Sequence, residues 1–150
     1  MTSSPFMTPF IITAINPYDS TLDDFFAEGF KIHATSVGRD ANWSAFAFEA
    51  RDSDGIRIGA IDGNTLYRAL NITRLVVVAA SQRHGVGSAL MQAALACGIE
   101  RSCVMACVET FSVQAPEFYK RFGFICDLER HGYADDLGDV SFLHFTKRLE

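Results

Sequence analysis

Gln82-Arg83-His84-Gly85-Val86-Gly87-Ser88 lies between a β-branched apolar run, Ile72 to Ala79, and an apolar helical stretch, Gly85 to Arg101. A strand that enters a helix through a glycine turn is the signature of a layered α/β unit, so this stretch decides the fold class. Glycine lets the backbone turn tightly and approach a ligand with no Cβ in the way. The first helical turn then offers unpaired N–H groups and the positive end of the helix dipole. Together these form an anion seat suited to a phosphate or pyrophosphate. The same turn also reads as nothing more than a tight connection. Two phosphate-binding patterns are excluded by residue. A Walker loop needs Lys and then Ser or Thr after its last glycine, where this chain has Ser88 and Ala89; a dinucleotide fingerprint needs glycine at Leu90.

On the N-terminal side, Phe10 to Ala14 reads as a first strand ended by Asn16-Pro17. Ser20-Thr21-Leu22-Asp23 resembles a capping box, with Leu22, Phe25, Phe26, Phe30 and His33 following at helical spacing up to Gly38. Trp43 to Arg51 and Ile56 to Ile61 read as strands joined by a turn at Ser53-Asp54-Gly55. In the predicted helix, Val86, Leu90, Ala94 and Cys97 form one stripe. Beyond it come a buried strand, Val104 to Val108, a short helix from Pro116 to a stop at Gly123, and two strands, Phe124 to Leu128 and Val140 to Lys147. Hairpins first and a strand–helix–strand–helix–strand block after them predict a mixed α/β fold, with helices flanking one mostly antiparallel, twisted central sheet.

The length of 150 residues suits a single domain over 1–150, with residues 1–8 expected to be flexible. A net charge of −5 argues against a partner nucleic acid, and no apolar run reaches the roughly 18 residues of a membrane span. A cytoplasmic protein is expected. Cys97, Cys103, Cys107 and Cys126 form no C-x-x-C pair and stand at no zinc spacing from a histidine, so they read as reduced core thiols with no metal.

Gln82-x-x-Gly85-x-Gly87, preceded by Leu75-x-Val77, resembles the acyl-CoA-binding motif of the GNAT superfamily of N-acetyltransferases. Downstream, Ala115-x-x-x-Tyr119-x-x-x-Gly123-Phe124 is similar to that family's second motif, in the same order and register. There are departures: Gln82 stands where Arg is common, and Ser112 where Asn often opens the second motif. Val78 and Ala79 follow the Leu-x-Val where an acidic residue is common, which leaves the general base unassigned.

The resemblance implies the acyl-CoA N-acyltransferase fold, with its sheet splayed at the cofactor site. Acetyl-CoA is then the cosubstrate, and the acceptor is a small-molecule or peptide amine that attacks directly. It implies an acyl-CoA site made of Leu75, Val76, Val77, Gln82, Arg83, His84, Gly85, Val86, Gly87 and Ser88. It also implies Tyr119 as the general acid for the departing thiolate. Glu49 and Glu109 are candidate bases, with His131 and His144 behind them. The alternative is a non-catalytic CoA-binding regulatory module on the same fold, since fold does not by itself separate binding from catalysis. The acceptor amine is not legible, although Phe25 to Arg39 and His131 to Gly138 are where its specificity is expected. A homodimer is compatible with the pattern.

Overall fold

A computed structural model of the protein describes residues 9–150. The segment expected to be flexible, 1–8, lies outside the described residues. The chain falls into two compact units, one ending at Arg39 and the other running from Asp40 to Glu150.

In the first unit, helix α1 spans Ser20–Ser36. Its cap is Asp19, not Ser20 as the capping-box pattern suggested. Asp19 Oδ1 accepts from the Thr21 N–H at 3.0 Å and from Thr21 Oγ1 at 2.7 Å. A carboxylate at the positive end of the helix dipole outcompetes a hydroxyl for that role. Phe25, Phe26 and Phe30 are exposed. The expected first strand, Phe10 to Ala14, is absent: the backbone there is irregular and joins no ladder. Apolar, β-branched residues favour an extended chain, but a strand exists only where a neighbour completes its hydrogen bonds.

The second unit is built on a six-stranded sheet in the order β1-β2-β3-β4-β6-β5. Its strands are β1 Ser44–Arg51, β2 Arg57–Leu66, β3 Ala69–Val77, β4 Met105–Phe111, β5 Ile125–Asp135 and β6 Gly138–Arg148. Helix α2, Val86–Glu100, links β3 to β4, and helix α3, Pro116–Arg121, links β4 to β5. Only β3 and β4 pair in parallel, as a strand–helix–strand crossover requires. The mixed sheet with flanking helices is the fold class that the sequence led us to expect.

Strands β2, β3, β5 and β6 are longer than their apolar runs. The β2–β3 hairpin turns at Tyr67-Arg68, both in the left-handed region with φ of 48° and 65°. The core lies between α2 and one face of the sheet: Ile61, Leu70, Met91, Ala94, Ala106 and Phe145 are almost wholly buried. Along α2 the buried stripe is Leu90, Met91, Ala94 and Gly98, with Cys97 only half-buried at its edge. All four cysteines are free. Cys103 is buried and Cys107 half-buried, but Cys126 is exposed on β5, so its assignment to the core is corrected. Every residue of this edge strand is exposed, so it has no buried position to offer the thiol. Among the described residues, no helix is long and apolar enough to cross a membrane.

Candidate functional site

The site begins with an interruption in the sheet. Asp62 of β2 pairs with Arg74 of β3, but the next residue, Gly63, pairs with Ile72. Thr73 is therefore an extra residue, a bulge that bends β3. Gly63 permits it: a Cβ there would overlap the Asn71 carbonyl oxygen and come within 2.9 Å of the Phe46 ring. Just past the bend the parallel ladder stops. β3 and β4 pair from Ala69↔Met105 to Ile72↔Val108 and no further. Beyond that point β3 stays with β2 up to Val77↔Gly59, and β4 stays with β6 up to Phe111↔Phe142. The two strands diverge, and a cavity of about 810 Å³ opens between them.

Past Ile72, alternate backbone groups of β3 face this cleft. The Val78 N–H donates to the Ile58 carbonyl at 2.9 Å. Antiparallel ladders alternate, so the N–H groups of Val77 and Leu75 point away from β2 and into the gap. Leu75, Val76 and Val77 all line it.

The glycine turn closes one end. After β3 comes a single 3-10 turn, Ala79–Ser81, and then Gln82, whose Nε2 donates to the Val77 carbonyl at 3.0 Å. Gln82 thus ties the turn to the strand end while also lining the cleft. Arg83 and Gly85 adopt φ of +64° and +82°, a conformation that suits glycine and strains Arg83. Among the described residues, no N–H from Arg83 to Ser88 donates to a protein acceptor. These groups stand at the positive end of the 15-residue α2, and Arg83, Gly85, Gly87 and Ser88 border the cavity. Val86 turns its side chain toward Gly59 and leaves only its N–H at the turn, while His84 is exposed and does not line the cavity. Gly87 sits under α3: a Cβ there would lie 3.4 Å from Phe118 and 3.6 Å from Val77.

Tyr119 reaches the cleft from α3, which Pro116 starts at its first turn. Its ring packs against Phe118, Phe124 and Phe145 at centroid distances of 5.4, 6.1 and 5.9 Å. The hydroxyl meets no protein partner among the described residues, and burial pushes the phenol above its ordinary value, keeping it protonated at neutral pH. Glu109 lines the same cleft, at the level where the β3–β4 ladder ends.

Glu49 stands elsewhere. It holds Arg51 at 2.6 Å and Arg57 at 2.5 Å, and these guanidiniums, Arg51 foremost, keep its carboxyl below the usual range. It borders a separate recess of about 550 Å³ whose lining shares only Arg74 and Val76 with the cleft. His131 is exposed beside Ser141 Oγ at 3.1 Å. His144 is half-buried with its Nδ1 2.6 Å from Asp127 Oδ1, and that bond to His144 is the main cause holding the Asp127 carboxyl low.

Several cleft residues carried no signal in the sequence. Thr73 and Arg74 enter it through the bulge, Arg121 through the last turn of α3, and Gln114 through the β4–α3 loop. Gln114 Oε1 accepts from Thr110 Oγ1 at 3.1 Å and from the Phe111 N–H at 3.2 Å, which shapes that loop. Only the two motif patterns could have pointed to this wall, and neither marks these positions.

The sequence pattern of the acetyltransferase (GNAT) domain matches residues 44–126. No curated protein matches the chain in sequence. Among solved structures, an Agrobacterium tumefaciens protein provisionally assigned as an acetyltransferase superposes with a TM-score of 0.75 at 19% identity, covering 94% of this chain and 99% of its own. An acetyltransferase from Bacillus cereus ATCC 14579 gives 0.71 at 23% identity, covering 91% and 98%. Nourseothricin acetyltransferase gives 0.63 at 26% identity, covering 71% and 66%. The first two likenesses show the fold alone. The domain match covers more than half of the chain, including the bulged strand, the glycine turn and Tyr119. On that ground the chain belongs to the GNAT family of acetyltransferases.

Proposed function

We propose that the protein is an N-acetyltransferase that moves the acetyl group of acetyl-CoA onto a primary amine of a small molecule or peptide, by direct attack. One observation carries the reading: β3 parts from β4 directly beside a turn whose N–H groups lack protein acceptors among the described residues. The cleft fits CoA in kind. The N–H groups from Arg83 to Ser88 suit a pyrophosphate, and the Leu75 and Val77 N–H groups suit the amides of a pantetheine arm, as an added strand would.

Acetyl-CoA supplies an activated thioester, and the chain's own residues do the rest. A cleft-facing backbone N–H near Val77 that the arm leaves free can polarise the thioester carbonyl as negative charge grows on its oxygen. Tyr119, a phenol that is protonated at neutral pH and pushed further up by burial, can hold a proton toward the departing sulfur. The amine must lose a proton to attack, and Glu109 is the carboxylate on the cleft wall that can take it. Glu49, held low by two arginines and outside the cleft, is the poorer base. One structural neighbour is a nourseothricin acetyltransferase, which keeps small-molecule acceptors in view.

The test is release of free CoA thiol from acetyl-CoA in the presence of a panel of amines, beside calorimetry with CoA. The reading expects binding and amine-dependent release. CoA binding with no release for any amine would favour the non-catalytic module, and no CoA binding at all would sink both.

A further inference from the structure

The sheet face bearing Glu109 carries a second titratable group that the reaction as described does not use. Along β4 the buried residues Ala106, Val108 and Thr110 alternate with Cys107 and Glu109, so these two share the other face. The β4–β6 register sets Glu109 opposite His144 and Cys107 opposite Thr146. On the far side of β6, β5 slips by one residue between Cys126 and Leu128, and the extra residue is Asp127. That bulge lets one carboxylate reach two β6 side chains: Oδ1 lies 2.6 Å from His144 Nδ1, and Oδ2 accepts from Thr146 Oγ1 at 3.1 Å. Such a bidentate hold costs side-chain freedom that an ordinary edge residue keeps.

A carboxylate at Nδ1 places the ring proton there and leaves Nε2 as a proton acceptor. Because β6 lies between β4 and β5, the ring edge turned away from Asp127 faces the β4 side, where Glu109 stands. Directly opposed residues have Cβ atoms roughly 5 Å apart, a separation that a single water can bridge between the two side chains. The titratable groups facing His144 are Asp127 from β5 and Glu109 and Cys107 from β4. Arg130 of β5 lies further along, over Phe142 at 5.8 Å.

We infer that His144, held by Asp127 and Thr146, is the positioning and proton-accepting partner of Glu109. The inference rests on the proposed role of Glu109 as base. An N–H bond of the bound ammonium breaks and a Glu109 O–H forms. That proton then passes through the water to His144 Nε2, restoring the Glu109 carboxylate. The imidazolium, balanced by Asp127, finally releases the proton to bulk water. No oxidant or further reactant enters.

The experiment compares wild type with His144→Gln and Asp127→Asn, using the acceptor found in the amine panel. It reads kcat and kcat/KM from about pH 5.5 to 9, CoA affinity by calorimetry, and thermal melting. The expected wild-type kcat falls on the acid side as the imidazole takes up a proton. His144→Gln should lose that limb and about tenfold in kcat, less than the full contribution of a general base, with CoA affinity unchanged within about two-fold. Asp127→Asn takes away the carboxylate that anchors the ring and balances the imidazolium, so its acid limb should move from the wild-type position toward lower pH. A merely structural role would change the melting point and leave both profiles in place. Wild-type profiles in the two variants overturn the inference. If His144→Gln does not fold, the direction of the Asp127→Asn shift decides. Absence of acetyl transfer in the wild-type protein is a different result, and it strikes the proposed function itself.

Discussion

Tyr119 illustrates how one hydroxyl can be separated from the ring that carries it. The ring is held by Phe118, Phe124 and Phe145, while the residue lines the cleft and its hydroxyl has no protein partner among the described residues. Tyr119→Phe should therefore fold and bind CoA normally. If the phenol serves the leaving thiolate, kcat should fall by roughly 10²-fold with KM for acetyl-CoA within a few-fold. A kcat within about two-fold of wild type would reduce Tyr119 to a packing residue. Gly87 is the complementary case, because the space around it distinguishes size from charge. A methyl at 87 meets Phe118 at an ordinary contact distance of 3.4 Å, so Gly87→Ala should leave CoA affinity nearly unchanged. Gly87→Glu brings bulk and negative charge to the anion seat and should weaken binding by about 1–3 kcal/mol. Unchanged affinity in a folded Gly87→Glu protein would move the pyrophosphate elsewhere.

Strand β3 is the element on which the cleft depends, and its bend depends on a residue in its neighbour. Gly63 lets the β2 backbone pass Asn71 closely enough for Thr73 to bulge out of register. Gly63→Ala forces the two strands apart or straightens the bulge, and overpacking of this kind costs about 1–3 kcal/mol. The expected result is a lower thermal midpoint together with weaker CoA binding, since the bend and the splay are one feature. A stable variant that binds CoA as wild type does would show that the cleft opens without the bulge. The hairpin before β3 makes a similar point. Tyr67 and Arg68 adopt a backbone usually left to Asn or Gly, and no turn signal marks them. They are held from outside the hairpin: the Tyr67 N–H donates to the Ala41 carbonyl at 2.9 Å, and Arg68 Nε donates to the Ser102 carbonyl at 2.9 Å.

At the scale of the whole molecule, the perturbed groups predict how stability follows pH. Asp19, Glu49 and Asp127 titrate below the ordinary carboxylate range because Thr21, Arg51 and His144 respectively favour their charged forms. Their contribution is complete above about pH 4 and is lost as pH falls through the lowered values. Cys103, Cys107 and Tyr119 are shifted upward by burial, so the unfolded chain ionises first as pH rises. Their contribution is complete below the ordinary thiol value of about 8.5 and is lost as pH climbs through the raised ones. Thermal melts should show a plateau between about pH 5 and 8 with a decline on both sides. A midpoint that continued to rise as pH fell from 5 to 3 would contradict the carboxylate assignments.

What the sequence determined by itself was local or motif-borne. The apolar run 72–79, the glycine turn and the helix after it were legible because period and turn chemistry act within a few residues of each other. The family itself was legible because the spacing of the two motifs, around Gly85 and around Tyr119, recurs in it. Tertiary structure decided the rest. Whether Phe10 to Ala14 would form a strand depended on a partner that the chain does not supply there. The bulge at Thr73, the end of the β3–β4 ladder at Ile72 and the meeting of Glu109, His144 and Asp127 each join residues distant in sequence. Register and hydrogen-bond completion are properties of strand pairs, and a single strand's sequence carries neither.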